Sequence, residues 1–238
     1  MPERKNPKTK TPHIRGEILP LPANILEIYK SVTLAGDVMF INGIRFINTI
    51  SRHVKFMTAE HISNTETSTL QALIRQVKQV YMQLEFNITN ILMDGKFTCI
   101  RGNLAELLIN LNVFSNNKHV GEIKRLGRTV KERVIGIYNT LHFNKLPGIM
   151  IIKLVALIIF WLNALPDSPS VGGNISPRQI ATGLTIDYTK QCRLQFGKYA
   201  QVHVSHDNTM KEQTTGGISL RPTGKTQGAY FCMSLKTG

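Results

Sequence analysis

Residues 87–98 read NITNILMDGKFT, and this stretch decides the fold. Ile88, Ile91, Leu92 and Met93 make a short apolar run of the length of a buried strand, and Asp94-Gly95 stops it. Asp and Gly are poor in strands and good in turns, so a carboxylate is presented where a buried strand ends. Open α/β sheets build their sites at such strand ends. A plain Asp-Gly turn is the competing reading, so Asp94 needs partners elsewhere in the chain.

Upstream, LAGDVMFINGIRFINTI (residues 34–50) holds two apolar runs separated by Asn42-Gly43, a strong hairpin signal between β-rich segments. Residues 51–59 (SRHVKFMTA) extend this to a third strand, which puts Asp37 on the first strand of a meander. Residues 23–33 suit a short lead-in helix. Between meander and Asp94 strand, Leu70, Leu73, Ile74, Val77, Val80, Tyr81 and Leu84 recur at helical spacing, with Thr67 or Ser68 as candidate caps. Three antiparallel strands, a helix and another strand make an α+β or mixed α/β order.

Downstream, NLAELLINLN (103–112) reads as helical and 114–118 as a polar loop. From His119 a long helix is expected, with Val120, Ile123, Val130, Val134, Ile137 and Leu141 on its apolar side. Lys124, Arg128 and Lys131, spaced four and three apart, share another face, and Arg125 adjoins them. A solvated face is the ordinary reading of such a row. Residues 149–165 (IMIIKLVALIIFWLNAL) sit at the lower length limit of a membrane span, but Lys153 and Asn163 favour a buried core helix. DSPSVGGNIS (167–176) is a Pro/Gly/Ser linker, and YAQVHV, GGISLRP and GAYFCMSL form a small antiparallel sheet or barrel, with Gly216-Gly217 and Gly224 at turns.

Composition narrows the function. The 238 residues carry 29 Lys and Arg against 15 Asp and Glu, a net charge of +14, which favours a polyanionic partner, nucleic acid ahead of a membrane surface. The N-terminal MPERKNPKTKTPHIRG is a basic arm suited to phosphates, with no apolar run of a signal peptide. Cys99, Cys192 and Cys232 are far apart and fit neither a disulfide framework nor a zinc site, which places the chain inside the cell, in nucleus or cytoplasm. The histidines show no metal-ligand spacing. Ser51-Arg52-His53 has no acid at a supporting distance and is no nucleophile triad. Two carboxylates on neighbouring strands, followed by a basic helix, are parts of a divalent-metal phosphoryl-transfer site, which a third carboxylate normally completes.

Several ordered segments carry a resemblance. LAGDVMFINGIRFINTISRHVKF, LMDGKF, HVGEIKRLGRTVKERVIGIYNTLHF, WLNALP, SPRQIATG and FGKYAQVHVSHDN…LRPTGKTQGAYF resemble the integrase core of copia-type retrotransposon polyproteins, from about residue 34 to the C-terminus. The resemblance implies a ribonuclease H-like fold, a mixed five-stranded sheet flanked by helices. A basic arm and lead-in (1–33), a core (34–166), a linker (167–190) and a small accessory β domain (191–238) follow from it. It also implies an Asp-Asp-Glu site that uses Mg²⁺ or Mn²⁺ for DNA strand transfer, with DNA as partner, no membrane, and a homo-oligomer left open.

Asp37 matches the first acid of that site and Asp94 the second. The third acid directly precedes Arg in a Glu-Arg-x-x-Arg-Thr pattern, and the matching string here is Lys124-Arg125-Leu126-Gly127-Arg128-Thr129. Lysine therefore stands where the catalytic Glu is expected. Glu122, the nearest acid and the remaining candidate for the third catalytic carboxylate, lies two positions earlier and about 200° around an ideal helix. The upstream zinc-binding module, protease and polymerase of such polyproteins have no counterpart, so the expectation is a fragment of a degenerate element. It would bind DNA and transfer strands weakly or not at all, or remain as a non-catalytic nucleic-acid-binding remnant.

Overall fold

The computed structural model describes residues 27–83, 85–114, 121–166, 175–204, 210 and 212–237. The basic arm, the 115–118 part of the polar loop, His119, Val120, His206 and residues 167–174 of the linker lie outside the described residues. Residues 27–29 are helical and strand β1 (Ser31–Ile41) begins at Ser31, so the lead-in helix ends earlier than expected, while its residues 23–26 lie outside the described residues. β1 turns back into β2 (Ile44–Ser51) with Ile41 opposite Ile44. Asn42 and Gly43 have φ values of 49° and 77°, the left-handed pair that a two-residue type I′ hairpin requires. β3 (Met57–His61) completes the meander along β2.

Helix α1 (Thr67–Met82) buries Leu70, Leu73, Ile74, Val77 and Tyr81 of the stripe read from the sequence; Val80 is half-buried, and Leu84 lies outside the described residues. Neither Thr67 nor Ser68 caps it. Glu66 is at the cap position without a side-chain bond, and Asn64 Oδ1 accepts the Glu66 N–H (3.3 Å) and the Thr69 hydroxyl (2.7 Å) instead. Strand β4 (Asn87–Asp94) then lies parallel to β1, and a 3-10 turn (Gly95–Ile100) leads into a short helix α2 (Arg101–Glu106). The helix expected over 103–112 ends there. Leu108 takes a left-handed φ of 58°, and Asn110–Phe114 forms strand β5, parallel to β4.

The sheet order is β3-β2-β1-β4-β5, a mixed five-stranded sheet with three antiparallel strands followed by two parallel ones, the mixed sheet expected from the resemblance. Its two faces are both covered. On one, Val32, Leu34, Ile88, Ile91 and Met93 pack against α1, the 3-10 turn and α2. On the other, Ala35, Met39, Ile41 and Leu92 meet α3 (Gly121–Thr140) and α4 (Gly148–Ala164). Burying each such aliphatic side chain contributes about 1.5–3 kcal/mol.

Helix α4 is apolar nearly all round because it is enclosed nearly all round, with ten of its residues buried. Among the described residues no helix is long and apolar enough to cross a membrane. Its Asn163 is only 4% exposed, and it accepts the Met57 N–H (2.8 Å) and donates to the Met57 carbonyl (2.7 Å). The first residue on the free edge of β3 is thus paired by one amide side chain.

The stretch expected as linker holds two short helices, α5 (Pro177–Thr182) and α6 (Tyr188–Gln191). Ser176 Oγ accepts from Gln179 N, Pro177 occupies the first turn and Gly183 ends α5 at φ 69°, while Ile180 and Ala181 are fully buried in the α1 core. Three strands, β6 (Tyr199–His203), β7 (Thr214–Pro222) and β8 (Tyr230–Ser234), form a separate antiparallel sheet ordered β6-β7-β8. Leu220 of β7 and the preceding Phe196 belong to the same apolar cluster as α4, so this sheet shares its core with the larger one. Gly216 and Gly217 are not turn residues but lie within β7. A Cβ at Gly217 would come within 2.8 Å of Val202 Cγ2, so the neighbouring strand explains the glycine. Gly224 does sit at a left-handed φ of 73° after β7.

Candidate nucleic-acid interface

Asp37 and Asp94 come to the same level of the sheet. The parallel register of β1 and β4 runs through Ala35 opposite Leu92, and both acids stand two residues further on. They share the face of Ala35 and Leu92, towards α3, because alternate strand residues point the same way. Both are half-buried. One oxygen of each is held by the adjacent backbone: Asp37 Oδ1 accepts from Val38 N (2.8 Å), and Asp94 Oδ1 accepts from Gly95 N (2.6 Å), where it caps the 3-10 turn.

Helix α3 lies over this face. Asp37 lines an open pocket of about 410 Å³ together with Asn48, Lys124, Gly127, Arg128, Lys131 and Glu132. The row read from the sequence therefore does share a face, and that face is turned to Asp37. Neither Lys124 nor Lys131 forms an ion pair with a described residue, whereas exposed Arg128 Nε donates to Glu132 Oε1 at 2.8 Å. That bond raises the Arg128 pKa above its usual value.

Glu122 is placed elsewhere. Its Oε1 accepts from Lys55 Nζ at 2.9 Å, in a separate depression with Ile50, Met57, Arg125, Thr129 and Arg133. Arg125 is on that side too, so it does not extend the Lys124 row. The helical angle between positions 122 and 124 separates the two clusters, and Lys55 gives Glu122 a structural partner.

Two residues of the Asp37 pocket were missed in the sequence. Asn48 lies opposite Asp37 on β2, is 1% exposed, and its Oδ1 has no hydrogen-bond partner among the described residues. Its signal was an amide directly after the apolar pair Phe46-Ile47 of the strand IRFINTIS. Glu132 gave a weaker one, as an acid four positions after Arg128.

These groups do not suit the two-metal centre that the resemblance implies. Such a centre needs shared carboxylates around both cations, and the third position here carries an ammonium. Among the described residues no cluster of three His, Cys, Asp or Glu could hold a metal ion. The three cysteines are free, and His203 is an exposed residue of β6. What the arrangement can do is offer cations to phosphate oxygens beside half-buried Asp37.

No family model matches the chain, and no curated protein matches it. Among solved structures it is similar to the catalytic core domain of BIV integrase, at 16% identity and a TM-score of 0.47, over 63% of this chain and 92% of that one.

Proposed function

We propose that this protein is an integrase-like DNA-binding protein of copia-type retrotransposon origin, with a cationic surface in place of a strand-transfer centre. One observation carries the reading: Lys124 lines the same pocket as Asp37, with Arg128 and Lys131 beside it. A lysine there repels divalent cations and attracts phosphate, so it removes one activity and strengthens the other. The net charge of +14 supports a polyanionic partner independently.

The test is duplex binding by the full chain and by the Lys124→Ala/Arg128→Ala/Lys131→Ala variant at several salt concentrations. Each phosphate left without its cation lowers the slope of log affinity against log salt by about 0.9, so the variant should bind more weakly to every sequence and shed up to roughly three units of slope. Unchanged binding by the variant would reduce the row to a solvated face. Nicking or joining of labelled duplexes in Mg²⁺ or Mn²⁺ would instead mean that Asp37 and Asp94, at one level of the sheet, still support strand transfer.

A further inference from the structure

A second, larger groove adjoins the Asp37 pocket. It encloses about 650 Å³ between the tip of the β1–β2 hairpin, the outer side of α3 and the segment joining α3 to α4. Lys131 and Ile135 line both cavities, so the two are neighbours along α3. Phe40 (53% exposed) and Ile135 (58% exposed) are left open to solvent at the groove. Tyr138 forms a further wall, fixed by its hydroxyl donating to the Asn144 carbonyl at 2.8 Å. Lys131 and Lys145 bring positive charge to the same groove, and Asn42 brings an amide.

We propose that this groove accepts an unpaired nucleobase at the end of, or a break in, the DNA whose phosphates meet Lys124 and Lys131. The inference rests on the DNA-binding reading above and adds the form of DNA that is preferred. Its volume lies in the range of small-ligand sites, where apolar walls carry a few polar groups. Aromatic rings in a cationic groove are the usual platform for unpaired bases, because every base has a stacking face. Charge selects the occupant: an apolar protein segment would gain little from Lys131 and Lys145, whereas a nucleotide brings a phosphate on either side of its base. Because Lys131 lines both cavities, one strand can place its backbone along α3 and its terminal base against Phe40.

The experiment uses the full chain and two duplexes of the same sequence, one blunt and one with a short single-stranded tail carrying 2-aminopurine. The tailed duplex should bind roughly 5-fold or more tightly, from the stacking of one base, and its fluorescence should be quenched. Phe40→Ala should remove the preference and the quenching while blunt-duplex affinity and salt slope stay unchanged. Lys145→Ala, a surface change that leaves the apolar packing alone, should weaken the tailed duplex selectively by a few fold and provides the comparison if Phe40→Ala fails to fold. Equal affinity for both duplexes, or a preference that survives Phe40→Ala, overturns the groove assignment and leaves the DNA-binding reading standing. Binding of neither duplex overturns that reading and the groove with it. If the protein without DNA sediments as a dimer that Phe40→Ala dissociates, the groove joins two copies of the chain and the assignment is also overturned.

Discussion

Replacing Glu122 by Gln should destabilise the fold and leave DNA binding alone. The Lys55 Nζ–Glu122 Oε1 distance is 2.9 Å, with the lysine side chain 12% exposed and the glutamate 37%. At an effective dielectric near 20, the gross attraction at that distance is about 6 kcal/mol, most of which is offset by desolvation. Exposed pairs are worth about 0–1 kcal/mol, and breaking a fully buried pair costs about 3–5 kcal/mol. With one partner nearly buried and the other about a third exposed, the loss should be about 2 kcal/mol. For a protein of this size that corresponds to a fall in Tm of about 4–8 °C. Lys55 also adopts a left-handed φ of 59°, which the surroundings must hold in place. Thermal unfolding followed by circular dichroism is the assay. The double variant Lys55→Met/Glu122→Leu should regain most of the loss, because it removes both charges and leaves none unpaired. A Glu122→Gln protein that melts within about 1 °C of the wild type, a shift inside the range of ordinary surface changes, would refute the structural role of the pair.

Lys124→Glu should raise Mn²⁺ affinity in calorimetric titration and weaken DNA binding. Unit charges 4–6 Å apart at a dielectric near 20 interact by about 3–4 kcal/mol, and the change reverses the sign while adding a ligand; equal Mn²⁺ affinity would show that position 124 does not face the acids. Asn163→Leu should cost about 2 kcal/mol in denaturant unfolding, because the Met57 N–H and carbonyl on the edge of the sheet lose their partner; an unchanged midpoint would mean that water replaces the amide. Tyr81 is fully buried, and burial pushes its pKa well above the usual tyrosine value. The unfolded chain releases this proton near pH 10 while the folded chain retains it, so stability should fall as pH rises above about 10. Tyr81→Phe should flatten that fall in alkaline unfolding curves, at the expense of the weak 3.3 Å bond from the hydroxyl to the Phe56 carbonyl.

The sequence was most legible where local chemistry and tertiary structure agree. Asn42-Gly43 meets the backbone demands of its turn unaided, and α1 buries five residues of its apolar stripe. Strand β5 was hidden because NLNVF is short and follows a leucine-rich run with helical spacing. Its strand character comes from pairing with β4, which no local pattern reveals. Helix α5 had its signals in plain view, a Ser-Pro start with Gln three residues on and a Gly stop, but the neighbouring Pro, Gly and Ser made the segment read as a linker. At the site, helical spacing alone separated Glu122 from Lys124. The partner that occupies Glu122 could not be foreseen, since Lys55 is 67 positions away.

The most direct test of a metal-independent, cationic DNA surface is an anisotropy titration of the full chain with labelled duplex, in chelator, across a range of salt. Binding through such a surface should persist in chelator, with log affinity falling linearly against log salt. Binding that appears only when Mg²⁺ or Mn²⁺ is added, or affinity that ignores salt, would contradict it.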